Sequence, residues 1–435
     1  MNTLPSTYKF HKSRLISALA ALALAAALCL AAFPARAENA PAPENAAAPN
    51  EPARGELYAE TDSAELDESI FAEAEAAIAG VAPDITSPSA ILIERRTGTV
   101  VFEKDADSPR EPASVTKIMT MLLVIEALES GAVGLEDDVT VSSHAASMGG
   151  TQIYLREGEK MSVRDMLKGV AVNSANDAAV ALAEYVSGSE DAFVARMNGR
   201  AAELGMANTY FTNCSGLLRD PEHRTTARDI AAMSRELLGH GAVREYTRIW
   251  TDSLRGGETS LANTNKLVRF YDGTTGLKTG FTSTAGYCLS ASAERDGVEY
   301  ISVTLGDKTS IDRFESARAL LSYAFATYTL VPAGPDGALA PIRVSLGRAR
   351  FIQPETRGPD MLLVTRTEAK DITKTLALPE RLAAPVRAGD VVGSVLVQSG
   401  GRTISETEIV SGQDSEKLLW GDIFLKLLII LFAGE

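Results

Sequence analysis

The chain has 435 residues and a formal net charge of −15, and the four cations of residues 1–37 (Lys9, Lys12, Arg14 and Arg36) meet no acid there, so without that segment the −15 becomes −19. The length allows two or three domains around a large core, and the acidity argues against nucleic acid as a partner and against broad electrostatic adhesion to anionic lipid. The three cysteines leave room for at most one disulfide: Cys29 lies in the leading segment, and Cys214 and Cys288 read as buried free thiols.

Lys9, Lys12 and Arg14 precede an apolar run from Leu15 to Phe33, which is followed by Pro34-Ala35-Arg36-Ala37. Cations, apolar stretch and small residues in that order predict a signal peptide over 1–37, cut after Ala37, and hence an exported protein. Residues 38–81 read as an acidic Ala/Pro-rich linker with at most a short surface helix, because this composition cannot bury enough apolar area to fold alone.

A domain is expected over 82–330. Residues 90–94 and 99–103 are β-rich and meet through Arg95-Arg96-Thr97-Gly98 as a hairpin. Pro112 and Ala113 open a helix whose apolar residues run from Ile118 to Leu128 and which stops at Gly131. Helices follow at about 163–170, 175–186, 191–204 and 227–238, the last with Thr226 and Asp229 as a capping box. Three strands at 277–282, 287–294 and 299–305, then a helix over 311–328, close the unit. Strands on both sides of a helical block predict an α+β domain whose sheet is assembled from both ends of the sequence. Residues 331–335 read as a linker into a small all-β domain over 336–412, with strands at 342–346, 361–365, 372–378 and 391–397. Over 413–435, Ser415, Asp422 and Lys426 fall on one side of an otherwise apolar helix that is short for spanning a bilayer. An amphipathic helix lying in the membrane interface through 415–432 is therefore expected.

Three motifs carry chemistry. Ser114 and Lys117 stand three apart at the first turn of the helix after Pro112, with both side chains on one face. A serine hydroxyl becomes a nucleophile when a nearby base takes its proton, and a lysine can be that base when burial or a neighbouring cation keeps it neutral. Taken alone, the pair reads first as an N-capping serine followed by a solvated lysine. Asn173-Ser174-Ala175-Asn176-Asp177 breaks two helices, where Ser174 has a structural use as an N-cap with Asp177 as its box partner. Gly276-Leu277-Lys278-Thr279-Gly280-Phe281 leads into a strand, where Lys278 could equally be an exposed cation. The four histidines (His11, His144, His223 and His240) form no H-E-x-x-H or Cys/His cluster, so the sequence offers neither a metal nor a cofactor site.

In this order, S-x-x-K, S-x-N and K-T-G match a known catalytic set. The chain resembles the low-molecular-weight penicillin-binding proteins of the serine D-alanyl-D-alanine carboxypeptidase family, with further likeness at Ser215-Gly216-Leu217, from His223 to Asp229 and from Thr282 to Tyr287. The resemblance implies a β-lactamase/transpeptidase-like catalytic domain in which Ser114 attacks the carbonyl between two D-alanines and Lys117 is the base. Ser174 would be a proton relay, and Asn176 a donor to Lys117 or to substrate. Lys278 and Thr279 would bind the terminal carboxylate of the peptidoglycan stem, Gly280 would let the substrate approach the strand edge, and the N–H groups of Ser114 and Phe281 would form an oxyanion hole. β-Lactams would acylate Ser114, and signal and tail together would leave the enzyme on the outer face of the cytoplasmic membrane. A class A β-lactamase would need a Glu-x-x-Leu-Asn loop between the second and third motifs, and Glu203-Leu204-Gly205 does not supply it. A DD-endopeptidase shares all three motifs, and a non-catalytic binder would be expected to lack Ser114 or Lys117.

Overall fold

The computed structural model describes residues 80–217 and 220–433; the signal peptide expected over 1–37 and nearly all of the linker expected over 38–81 lie outside the described residues. Strand β1 (Ser89–Glu94) is buried along its whole length, and its alternation divides it: Ile91 and Ile93 enter one apolar cluster, Ala90 and Leu92 another. A strand buried on both faces belongs inside a sheet that is covered on both sides. Strand β2 (Val100–Lys104) completes the expected hairpin, and β3 (Thr274–Thr282), β4 (Gly286–Arg295) and β5 (Val298–Asp307) follow late in the chain. The sheet order is β2-β1-β5-β4-β3, antiparallel throughout, so the early hairpin docks on the last strand of the late meander. This leaves β3, which carries the K-T-G sequence, as the outermost strand on one side.

Between the two sets of strands lie α1 (Lys117–Glu129), α2 (Val163–Asn173), α3 (Asn176–Ser187), α4 (Glu190–Glu203) and α5 (Ala227–Gly239), which share one buried cluster with Ile91, Ile93, Leu277 and Val303. Helix α6 (Ser310–Thr327) covers the other face through Phe314, Ala317, Leu320, Leu321 and Ala324. A reciprocal capping box stands at the start of α6, between Thr309 and Asp312. At α5 only half of the expected box forms: Thr226 accepts from Asp229 N at 3.1 Å, whereas the Asp229 carboxylate turns to Asn208 N and Thr209 Oγ1.

Tyr328–Pro332 is a strand paired with Met361–Thr365, so Val331 and Pro332, expected in a linker, are ladder residues. Beyond them, Ile342–Ser345, Phe351–Ile352 and Arg381–Ala383 make one small sheet and Pro354–Arg357, Ile372–Ala377, Val391–Ser399 and Arg402–Ser411 another, around Val344, Ile352, Val395, Val397 and Ile409. The terminal helix α7 spans Trp420–Ala433, with Trp420 86% and Phe432 81% exposed. Ser415, expected on that helix, lies before it: its N–H donates to Val386 O (2.7 Å) and its hydroxyl to Ala349 O (2.8 Å). No helix among the described residues is long and apolar enough to cross a membrane.

Candidate active site

The turn after Pro112 is tighter than an α-helix. Ala113–Thr116 forms a 3₁₀ turn that passes into α1 at Lys117. In a 3₁₀ turn positions i and i+3 eclipse one another, and Ser114 Oγ accordingly lies 3.0 Å from Lys117 Nζ. The entry residue Ala113 has φ +47°, a conformation that non-glycine residues keep only where the surroundings hold it. Here Thr116 Oγ1 donates to Ala113 O at 2.8 Å, and Gly216 presses on the same carbonyl so closely that a Cβ on Gly216 would lie 1.9 Å from it. Lys117 is completely buried and donates to Asn176 Oδ1 (2.6 Å) and Ser215 O (2.7 Å).

The Ser215 carbonyl is aimed by the turn before it, where Asn213 Oδ1 accepts from Ser215 N (3.2 Å) and Gly216 N (2.6 Å). An Asx turn closed by a left-handed glycine is legible as Asn-x-Ser-Gly. The sequence reading assigned no role to these residues, and this turn supplies one of the acceptors for the buried lysine.

At the second motif the N-cap expectation fails. Ser174 is the left-handed end of α2 (φ 62°, ψ 29°), and Ala175 starts α3 with no side-chain cap. Only Ser174 and Ala175 separate the two helices, and Ser174 takes the left-handed conformation that ends α2. Asp177, expected as its box partner, instead points inward and accepts from Ile153 N (3.2 Å), Leu155 N (2.9 Å) and Ala178 N (2.9 Å). Its burial raises its pKa, and the backbone N–H groups of Leu155, Ile153 and Ala178 oppose that rise. Asn176 Nδ2 donates to Gly149 O at 2.8 Å and Asn173 Nδ2 to Gln152 O at 3.1 Å, so Asn173, Asn176 and Asp177 staple residues 149–155 to the junction of α2 and α3. Asn176 is thus an acceptor toward Lys117, its amide orientation set by the ammonium on one side and a carbonyl on the other.

On β3, Lys278 is 1% exposed and donates to Thr279 O at 2.9 Å, and Thr279 Oγ1 donates to Thr264 Oγ1 at 2.7 Å. Gly280 is explained by the turn that carries Ser114: a Cβ there would sit 2.8 Å from Pro112 O and 3.0 Å from Ser114 N. The close approach that glycine permits in this structure is therefore that of residues 112–115. Arg313 reaches the same strand from α6 and donates to Gly280 O at 3.2 Å. The cleft above these groups brings Ser114, Ser174, Asn176, Thr279, Gly280 and Phe281 onto one surface, with Lys117 and Lys278 buried beneath it. Gly150, Thr151, Gly216 and Leu217 from the two loops just described, and Thr282 from β3, complete the lining. Cys214 and Cys288 are buried free thiols, and burial raises both pKa values, that of Cys288 to about 11, so neither is a nucleophile at neutral pH.

A buried lysine on a serine hydroxyl, beside a small cleft walled by an outer strand, is an arrangement for acyl transfer. Residues 76–309 match the family model of the D-alanyl-D-alanine carboxypeptidases (peptidase S11), and residues 325–417 match the C-terminal domain of penicillin-binding protein 5. The D-alanyl-D-alanine carboxypeptidase DacF of Bacillus subtilis is 40% identical over 76% of this chain and 86% of its own length. Penicillin-binding protein 5 from Haemophilus influenzae superposes with a TM-score of 0.70 at 28% identity, over 78% of this chain and 99% of that one. The cefotaxime-bound form of penicillin-binding protein D2 from Listeria monocytogenes does so with a TM-score of 0.52 at 31% identity, over 56% and 99%. This chain belongs to the D-alanyl-D-alanine carboxypeptidase family of low-molecular-weight penicillin-binding proteins.

Proposed function

We propose that the chain is a serine DD-carboxypeptidase that removes the terminal D-alanine from peptidoglycan stem peptides and is inhibited by β-lactams. The observation that carries this reading is the 3.0 Å approach of Ser114 Oγ to the buried Lys117 Nζ at the floor of the cleft. When Lys117 is neutral it can keep both donations, to Asn176 Oδ1 and Ser215 O, and direct its lone pair at the hydroxyl. Lys117 takes the proton as Oγ adds to the carbonyl carbon between the two D-alanines. The oxyanion is received by the N–H groups of Ser114 and Phe281, donors commonly worth about 3 kcal/mol each. Collapse breaks the C–N bond, returns the proton to the leaving D-alanine and leaves the shortened peptide as an ester on Ser114. Water, deprotonated by the same lysine, then releases it. In this reading Lys278 and Thr279 hold the terminal carboxylate, and Ser174, held at the left-handed junction, passes the proton toward the leaving nitrogen.

The test is intact-mass analysis after incubation with benzylpenicillin, together with release of free D-alanine from a diacetyl-lysyl-D-Ala-D-Ala peptide. We expect an adduct on Ser114, and we expect Ser114→Ala to lose both signals; either signal surviving at the wild-type rate refutes the assignment. Turnover confined to cross-linked dimers would identify a DD-endopeptidase instead. The protein acts on the outer face of the cytoplasmic membrane, held there by α7; the bare apolar side chains of Leu419, Trp420, Phe424, Leu431 and Phe432 support this. Flotation with liposomes by the full chain, lost on deleting residues 420–433, checks it.

A further inference from the structure

His223 is 3% exposed and is not among the residues that line the cleft, yet it is hydrogen-bonded to Thr116 in the turn that carries Ser114. Its Nδ1 receives the backbone N–H of Thr212 at 3.0 Å, with Thr212 Oγ1 at 3.4 Å and Asn213 Nδ2 at 3.5 Å on the same side. A backbone N–H can only donate, so Nδ1 is bare and the proton of the neutral ring sits on Nε2. Nε2 lies 2.8 Å from Thr116 Oγ1, whose own proton goes to Ala113 O at 2.8 Å. Every donor in this series has one acceptor and the direction is unambiguous: Thr212 N–H to His223, His223 to Thr116, Thr116 to the Ala113 carbonyl. That carbonyl belongs to the peptide bond whose nitrogen is Ser114 N, and it follows a residue held at φ +47°.

We infer that His223 is a positioning residue for the nucleophile, fixing the Ala113–Ser114 peptide through Thr116 so that the Ser114 hydroxyl faces Lys117 and its N–H faces the cleft. The inference rests on the reading of Ser114 as the nucleophile. Without the ring, Thr116 Oγ1 is free to rotate away from Ala113 O, and the left-handed turn loses a constraint that opposes its relaxation. His223→Gln preserves the pattern, since a carboxamide offers one acceptor and one donor side by side. His223→Leu preserves volume and removes both.

The experiment uses the full chain and measures the second-order rate of acylation by a fluorescent penicillin, kcat and KM on a D-Ala-D-Ala peptide, and the thermal midpoint. His223→Leu is expected to acylate about 100-fold more slowly, the size of loss that an error of about 1 Å in placement causes. Peptide KM should stay within about twofold of wild type, and His223→Gln should recover most of the rate. Thr116→Val breaks the same series from the other side and serves if the leucine variant does not fold; it should reproduce the slow acylation. Wild-type acylation in either apolar variant, a change confined to KM, or equal loss in the leucine and glutamine variants overturns the inference. If the wild-type chain itself is not acylated at Ser114, it is the parent reading that fails.

Discussion

Replacing Gly216 by alanine tests how tightly the nucleophile turn is held. At φ +74° an L-residue pays about 1–2 kcal/mol, and the added Cβ would stand 1.9 Å from Ala113 O and 2.5 Å from Ala113 C. Both are backbone atoms, so no rotamer relieves the contact. The Ala113 carbonyl must retreat by about 1 Å, and it carries the amide nitrogen and Oγ of Ser114 with it. A displacement of that size costs about 100-fold in rate, or about 2.7 kcal/mol of transition-state stabilisation. Strain and overpacking together should remove about 2–5 kcal/mol of folding stability. The assay is the time course of fluorescent-penicillin labelling of folded protein, with a thermal melt in parallel. Labelling within about threefold of wild type would refute the argument, because it would mean that the turn can move without moving the nucleophile.

The remaining predictions concern the base, the loop staple and pH. Lys117→Arg keeps the charge but cannot deprotonate, so acylation should fall by about 10²–10⁴ with the fold intact, read by labelling and circular dichroism. Asp177→Asn presents a donor where Leu155 N or Ile153 N had an acceptor, and an unpaired buried N–H costs about 1–3 kcal/mol. That variant should melt earlier and show faster hydrogen exchange over residues 149–155, and unchanged exchange there would contradict the staple. Burial lowers the pKa of His223 from 6.5 to about 4, so its contribution to stability is full above pH 6.5 and is lost as pH falls toward 4. Burial raises that of Asp307 from 3.8 to about 6, so its contribution is full below 3.8 and is lost as pH rises toward 6. At about 1.4 kcal/mol per pKa unit, each is worth at most about 3 kcal/mol, with opposite signs. Urea unfolding at pH 4.5 and 7.5 should show His223→Gln losing less stability on acidification than wild type, and Asp307→Asn gaining relative to wild type at the higher pH. Parallel pH dependence in all three would refute both attributions.

Most of the fold was legible where one periodicity ran long enough to dominate. The β4 and β5 strands have the Arg295-Asp296-Gly297 turn between them, and α6 covers five turns of apolar positions, so pattern and turn chemistry agree. Arg402–Ser411 was missed because its sequence is polar at most positions and only Thr407, Ile409, Val410 and Ser411 are buried. In the strand Tyr328–Pro332, the sequence suggests a helix end at Tyr328 and a linker at Val331 and Pro332, because Pro332 argues against a strand. An edge position tolerates proline, and Pro332 sits at the end of a two-stranded ladder. Asp138–Thr140 and Thr251–Leu254 have three and four residues with one buried residue each, too little for an alternation to show.

The site divides along a different line. Ser114, Lys117, Ser174, Asn176 and the residues from Lys278 to Phe281 could be named because their chemistry and spacing are local, while what holds them together is not. Gly216 meets Ala113 across more than one hundred residues of sequence, Asp177 takes N–H groups from a loop that precedes it, and Gly280 is small because residues 112–115 pack on it. None of these pairings has a period or a spacing, so none can be found by scanning a window. Yet each involves a residue whose local use does not account for all it does: a left-handed glycine that closes an Asx turn, an aspartate that takes one N–H of its own helix, a glycine inside a strand. Residues that break a local rule without an evident local use are where a long-range constraint should be sought, and in this protein two of these three, at Gly216 and Gly280, converge on the backbone on either side of the peptide bond between Ala113 and Ser114.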